Sequence, residues 1–213
     1  MADEILCAIA DGIATITLNR PEKRNAMNTA VLDGLRRHFD ALDEDRDVRV
    51  VVVRGAGKAF CSGMDLEEMS RKQREAADPE TGVTAVLQRI EGSRHPTVAL
   101  VHGDAFAGGC ELALHCDLRI AADGVRFAMP LARLGIVVPF PLGQKLVEIV
   151  GPAWAREILL TGRPIDARRA LEMGMVHRVV GPADVEAAAY ELARTIADNA
   201  PLSLAGKIGR AVV

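Results

Sequence analysis

The sequence predicts an α/β fold, on three observations. Residues 48–54 and 97–101 are near-continuous apolar runs rich in β-branched side chains, the pattern of parallel strands covered on both faces. Segments with apolar residues at helical spacing follow such runs, so strands and helices alternate along the chain. Short glycine-rich turns join strand to helix at its two most distinctive places.

Taken in order, residues 4–10 and 13–18 alternate in polarity around Asp11-Gly12 and predict a β-hairpin. Asn28 or Thr29 caps a helix running to about Asp43, with Val31, Leu35, Phe39 and Leu42 on one face. The 48–54 strand follows, then helices near 65–70 and 82–93. Between them, residues 70–81 are charged and weakly patterned and are expected to form a mobile flap. The 97–101 strand leads to a helix over 109–115 and a strand over 118–121. Helices are expected over 141–150, 152–160, 166–173 and 182–199.

Composition narrows the function classes. The chain has 213 residues, enough for one sizeable core, and 49% of them are hydrophobic. Its net charge is −3, it has no basic block, and only 3% of its residues are aromatic, which argues against a nucleic-acid partner. No apolar run reaches the length of a membrane span. The N-terminus, Met1-Ala2-Asp3-Glu4, is acidic and lacks the layout of a signal peptide, so a cytoplasmic location is expected. Cys7, Cys61, Cys110 and Cys116 form no C-x-x-C pair and no zinc pattern, and are read as buried thiols. Gly55-Ala56-Gly57-Lys58 is not a phosphate loop, because Ala59 stands where Ser or Thr is required.

The chemistry concentrates in Gly103-Asp104-Ala105-Phe106-Ala107-Gly108-Gly109-Cys110-Glu111-Leu112-Ala113-Leu114. Glycines at a strand-to-helix turn let a ligand approach the backbone. The first amides of the helix lack internal partners and can hold a developing oxyanion. Glu111, one turn in, can take or give a proton beside that anion. A tight turn with an exposed glutamate is the plainer alternative. His115 falls on the same helix face as Glu111, four residues on, where a packing role is the plainer reading and a hydrogen bond to the site the alternative.

A second motif lies upstream: Arg54-Gly55-Ala56-Gly57-Lys58-Ala59-Phe60-Cys61-Ser62-Gly63-Met64-Asp65-Leu66. The two motifs together resemble the crotonase superfamily, the enoyl-CoA hydratase/isomerase family. Asn19-Arg20-Pro21-Glu22-Lys23-Arg24-Asn25-Ala26-Met27 is similar to its N-R-P-x-x-x-N-A-[ML] turn. Leu160-Thr161-Gly162-Arg163-Pro164-Ile165-Asp166-Ala167 and Ala170-Leu171-Glu172-Met173-Gly174-Met175-Val176 resemble its later signature, and Cys116-Asp117 completes the second motif. Three mild departures stand out: Ser62 for Ala, His102 for Asn, and Ala107 where a further Gly is common.

The resemblance implies a spiral of repeated ββα units with the usual C-terminal helical region shortened: a core over 1–199 and the start of that region over 200–213. It implies an acyl-CoA thioester substrate, no separate cofactor since coenzyme A is part of the substrate, no metal, and a homo-oligomer, a trimer or hexamer. Relatives' terminal helices cover apolar surface, so a chain ending at Val213 is expected to bury that surface between subunits. It casts the backbone amides of Met64 and Gly108 as oxyanion donors and Glu111 as the acid/base. Ala26, Ala59, Asp65 and Leu66 would hold the pantetheine arm and adenine, and Arg24 a phosphate. Asp65 is also expected to cap the helix that follows, and Asp117 to be structural.

One departure bears on the reaction. Family hydratases use two glutamates, and the second position, in a P-E-x-x-L-G context, reads Pro130-Leu131-Ala132-Arg133-Leu134-Gly135 here. Leu131 neither donates a proton nor holds a water, and Val137, Val138, Pro139 and Phe140 keep that wall apolar. The expected function is an acyl-CoA enzyme of enoyl-CoA hydratase/isomerase type with Glu111 as sole acid/base. A thioester hydrolase, decarboxylase or dehydratase on the same scaffold, or a catalytically weak acyl-CoA binding protein, stay open.

Overall fold

The computed structural model describes residues 3–72 and 82–206. It opens with the expected hairpin, β1 (Ile5–Ala10) and β2 (Ile13–Leu18). Asp11 and Gly12 both take positive φ at its turn, 50° and 74°, as a two-residue hairpin turn requires. Asn28 caps α1 (Thr29–Glu44) by accepting from the Val31 amide at 2.8 Å. Then come β3 (Val50–Gly55), α2 (Leu66–Lys72), α3 (Val83–Glu91), β4 (Thr97–Val101), β5 (Ala105–Phe106) and α4 (Gly108–His115). They are followed by β6 (Leu118–Ala122), β7 (Arg126–Ala128), a 3-10 turn (Pro130–Leu134), α5 (Phe140–Thr161), β8 (Ile165–Asp166), α6 (Ala167–Glu172), β9 (Arg178–Val180), α7 (Val185–Ala197) and α8 (Pro201–Ala205).

The main sheet has the order β1-β2-β3-β4-β6-β9, antiparallel only at its first pair. Val50 to Val53 and Val98 to Val101 are shielded from water on both faces, which explains their unbroken apolar sequence. Helix α7 lies across the sheet, while α1 packs on β1, β2 and α3, α3 on α4, and α4 on α5. A second sheet, β5-β7-β8, stands beside the first. Because β4 and β6 of the main sheet are each followed by a strand of the small one and then a helix, β4-β5-α4 and β6-β7-α5 repeat a strand–strand–helix unit.

The small sheet is what sequence reading missed. Strands of two or three residues carry no periodicity to read. Strand β9 was likewise not anticipated, and the helix expected over 182–199 is trimmed to Val185–Ala197; α8 falls where the C-terminal helical region was expected to start. The two helices expected over 141–150 and 152–160 are both present within Phe140–Thr161, which breaks at Gly151, where φ 76° and ψ 164° are not helical, just before Pro152. Of the expected flap over 70–81, residues 70–72 end α2, and 73–81 lie outside the described residues. No helix among the described residues is long and apolar enough to cross a membrane.

Candidate active site

Strands β2, β3, β4 and β6 run parallel, so the turns after them emerge at one edge of the sheet. Backbone bonds knit these turns together. The Met27 amide donates to the Gly63 carbonyl at 2.8 Å and the Asp65 amide to the Met27 carbonyl at 2.9 Å. Phe60 and Cys61 amides donate to the Asp104 carbonyl, Phe106 to Cys61, and Ala107 to Ala128. Asn25, buried and at φ 56°, anchors the corner: its side-chain amide faces the Ala56 and Ala59 carbonyls, each at 2.8 Å.

This stitching brings the two motifs into contact. A Cβ on Gly63 (φ 98°) would lie 3.2 Å from the Gly108 nitrogen, and one on Gly108 would lie 3.6 Å from the Met64 nitrogen. The Met64 and Gly108 amides are therefore neighbours. Among the described residues, neither has an acceptor within the chain. A Cβ at Gly109 would come 2.2 Å from the Cys61 carbonyl oxygen, so only glycine lets α4 approach so closely. Ala107, just before the helix, holds φ 48° and ψ −120°. Glycine adopts such a backbone without the strain that an alanine bears.

Both amides open into a cleft of about 440 Å³, shared by Arg24, Ala26, Asp65, Leu66, Glu111 and Leu131. Most of its remaining wall is apolar, with Met69, Val83, Met129, Ile136, Val137 and Leu142, while Lys23, Ser62 and Glu67 also line it. Ala59 lies elsewhere, in an adjoining cleft of about 930 Å³ that also takes in Arg24, Lys58, His102 and Arg126. Arg24, Ser62 and Phe106 border both clefts. Of the sequence-predicted site residues, only Ala59 is thus set apart from the others.

Glu111 is the unusual group. Helix α4 is buried all round from Gly109 to His115, and Glu111 is 1% exposed. Among the described residues, neither carboxylate oxygen has a hydrogen-bond partner. Desolvation pushes its pKa up to about 8. The other carboxylates on the cleft are committed. Asp65 accepts from the Glu67 amide at 3.1 Å, capping α2 as expected, and from both terminal nitrogens of Arg20 at 3.2 Å. Glu67 pairs with Lys23 at 3.3 Å at the exposed rim. Asp117 serves structure, accepting from the Thr97 amide and hydroxyl.

Two arginines escaped the sequence reading. Arg20 braces Asp65 and also donates to the Ala26 carbonyl at 2.6 Å. Arg119, 4% exposed, donates to the Cys116 carbonyl at 2.6 Å and the Ala113 carbonyl at 3.2 Å, tying down the end of the helix that carries Glu111. The available signal was a lone cation inside an apolar strand.

Residues 8–207 match the enoyl-CoA hydratase/isomerase family. The chain belongs to that family. It is 35% identical to the short-chain-enoyl-CoA hydratase of Clostridium acetobutylicum over 90% of this chain and 74% of that protein. It is 39% identical to the carnitinyl-CoA dehydratase of Salmonella arizonae over 91% and 74%. The crystal structure of an enoyl-CoA hydratase/carnithine racemase from Magnetospirillum magneticum superposes with a TM-score of 0.89 at 35% identity, covering 96% of this chain and 78% of that one. Such family members share the parallel-dominated α/β architecture described above.

Proposed function

We propose that this family member is an acyl-CoA enzyme of enoyl-CoA hydratase/isomerase type that stabilises a thioester enolate. The observation that carries this reading is the placement of Glu111: a buried, unpartnered carboxyl in the same cleft as two adjacent, unengaged amides. The Met64 and Gly108 amides are fixed dipoles that need no reorganisation as the thioester oxygen gains charge. Glu111, with a pKa near 8, holds its proton at neutral pH yet can release it, the balance general acid/base work calls for. The adjoining cleft, with Arg24, Lys58 and Arg126, suits the phosphates and adenine of coenzyme A, and Ala59 would line it. The acyl chain would lie along the apolar wall.

Leu131 on that wall favours chemistry that moves one proton, such as double-bond isomerisation, over two-carboxylate hydration. Crotonyl-CoA hydration, 3-enoyl-CoA isomerisation and CoA release should be assayed for the wild type and Glu111→Gln. We expect turnover of an acyl-CoA to fall at least 100-fold in the variant, while affinity for a nonreactive acyl-CoA is kept. Unchanged turnover would remove Glu111 from the mechanism. A protein that binds acyl-CoA but turns over none of these substrates would instead be a binding protein. A homo-oligomer, trimer or hexamer, is part of the reading. Light scattering across a dilution series checks it, and a stable monomer would refute it.

A further inference from the structure

Glu111 and Val137 border one cleft yet stand at its two extremes: Glu111 is 1% exposed and Val137 87%. Behind Glu111 the protein is closed. Leu112, Leu114 and His115 are buried, and His115 Nδ1 donates to the Glu111 backbone carbonyl at 2.8 Å. A group held beside Glu111 therefore has no room to extend inward. Arg24, Ser62 and Phe106 lead from the cleft to its basic neighbour, whereas Leu131, Leu134, Ile136, Val137 and Leu142 border the first cleft alone.

This second flank is apolar throughout. Residues 129–142 include one polar side chain, Arg133. A Cβ on Gly162 would lie 3.0 Å from Arg133 Cγ and Cδ, so the arginine stem is packed against that glycine and not on the cleft. Every residue of 129–142 that reaches the cleft is apolar. Gly135, at φ 69°, reverses the chain, and the Ile136 amide donates to the Leu131 carbonyl at 2.9 Å. Ile136 and Val137 are thereby folded back beside Leu131. Leu134 and Val137 nevertheless stay in water, with Phe140 next along. An apolar surface that leads out of a binding cleft is the mark of a ligand's path.

We propose that the acyl group is a long, uncharged fatty chain that runs outward from Glu111 past Leu131 and Ile136 and covers Leu134 and Val137 at the surface. The inference rests on the reading of the cleft as an acyl-CoA site with the thioester oxygen at the Met64 and Gly108 amides. That reading puts the thioester carbonyl at the buried end, with the next two carbons beside Glu111. A four-carbon group ends there and leaves Val137 bare. A longer chain takes the outer side chains out of water, and each methylene that becomes fully covered tightens binding about fourfold. A charged chain end gains nothing, because nothing on this flank can pair with a carboxylate or an ammonium group, and burying one there costs affinity.

Isothermal titration of the wild type with butyryl-, octanoyl- and dodecanoyl-CoA, each below its micelle concentration, tests the path. Affinity should rise at each step, with dodecanoyl-CoA at least 30-fold tighter than butyryl-CoA. Pentanoyl-CoA should bind at least 10-fold tighter than glutaryl-CoA, in which a carboxylate replaces the terminal methyl. Dodecanoate without coenzyme A should bind at least 10-fold more weakly than its thioester. Val137→Asp should cut the dodecanoyl-to-butyryl ratio at least 10-fold, and Leu134→Ser reads the same loss if that variant does not fold. Equal affinity for butyryl- and dodecanoyl-CoA would overturn the long chain while leaving the acyl-CoA reading in place, and would assign Leu134 and Val137 to a contact between subunits. A dodecanoyl preference that Val137→Asp leaves intact, or that dodecanoate matches, would also overturn it, since the chain would then lie elsewhere. Glutaryl-CoA binding as tightly as pentanoyl-CoA would overturn the exclusion of charge. Failure of every thioester to bind would overturn the reading of the cleft itself, and the fatty chain with it.

Discussion

Arg20 and Asp65 form a buried bridge, with both terminal guanidinium nitrogens 3.2 Å from one carboxylate oxygen and both side chains about nine-tenths covered. It clamps the turn after β2 to the turn that presents the Met64 amide. Burial works to raise the Asp65 pKa, but Arg20 and the Glu67 and Glu68 amides outweigh it and hold the carboxyl below its ordinary value. Removing the cation strands a buried charge, so Arg20→Met should lose about 2–3 kcal/mol of stability at pH 7. A depressed carboxyl pKa stabilises above its unfolded value and stops doing so as pH falls through it. Urea titrations at pH 7 and pH 3 should therefore show the gap between wild type and variant narrowing in acid. A constant gap would contradict this account.

Glu111 gives the opposite pH dependence. Its folded pKa, about 8, lies above the ordinary 4.5, so the native state holds a proton that the unfolded chain has released. That contribution is complete below pH 4.5 and declines as pH rises towards 8, by up to about 1.4 kcal/mol per unit. Glu111→Gln keeps a neutral side chain at every pH. Its stability relative to wild type should grow between pH 5 and pH 8. Parallel stability curves would mean that Glu111 is not protonated in the folded protein.

Gly63 and Ala107 face each other across the paired amides and should respond in opposite directions to the same methyl group. Gly63→Ala places a Cβ at φ 98°, 3.0 Å from the Phe106 carbonyl oxygen and 3.2 Å from the Gly108 nitrogen. It should cost about 1–3 kcal/mol of stability and 10²–10³-fold in turnover, as the donors are pushed apart. Ala107→Gly removes the side chain from a backbone at φ 48° and should gain about 1 kcal/mol after the extra unfolded-state entropy of glycine is subtracted. Thermal melts of the two variants check both signs.

Leu131→Glu tests the apolar wall. We expect weak crotonyl-CoA hydration in the wild type and a rise in the variant, provided that the new carboxyl, half-buried among Leu134, Val137 and Pro139, ionises. Steady-state hydration assays between pH 6 and pH 9 would show the gain growing with pH. Efficient hydration by the wild type would mean that Leu131 does not limit this reaction.

How much of this was legible in the sequence depended on distance along the chain. Asn28 and Asp65 were readable as helix caps because a cap and its amides lie within three residues. The strands β3 and β4 were readable because burial on both faces leaves an unbroken apolar run. The meeting of Gly63 with Gly108 was available only through the family resemblance, since no local rule brings two distant turns together. Arg20 and Arg119 were not legible. A long cation in a sequence carries no sign of which carbonyl or carboxylate it will reach. The small sheet was too short to announce itself.

The two walls of the cleft differ in how they are held. The turns bearing Met64, Gly108 and Glu111 are cross-tied through their own backbones and braced by buried Asn25 and Arg119. The opposite wall is a 3-10 turn and the start of α5, where Leu134, Val137 and Phe140 are 54%, 87% and 80% exposed. Substitutions there disturb little packing, while any change to the first wall threatens folding and chemistry together. The shape and polarity of the cleft can therefore drift through the second wall at almost no folding cost. A glutamate can become a leucine at position 131, or the reverse, with the turns that bear Met64, Gly108 and Glu111 left as they were.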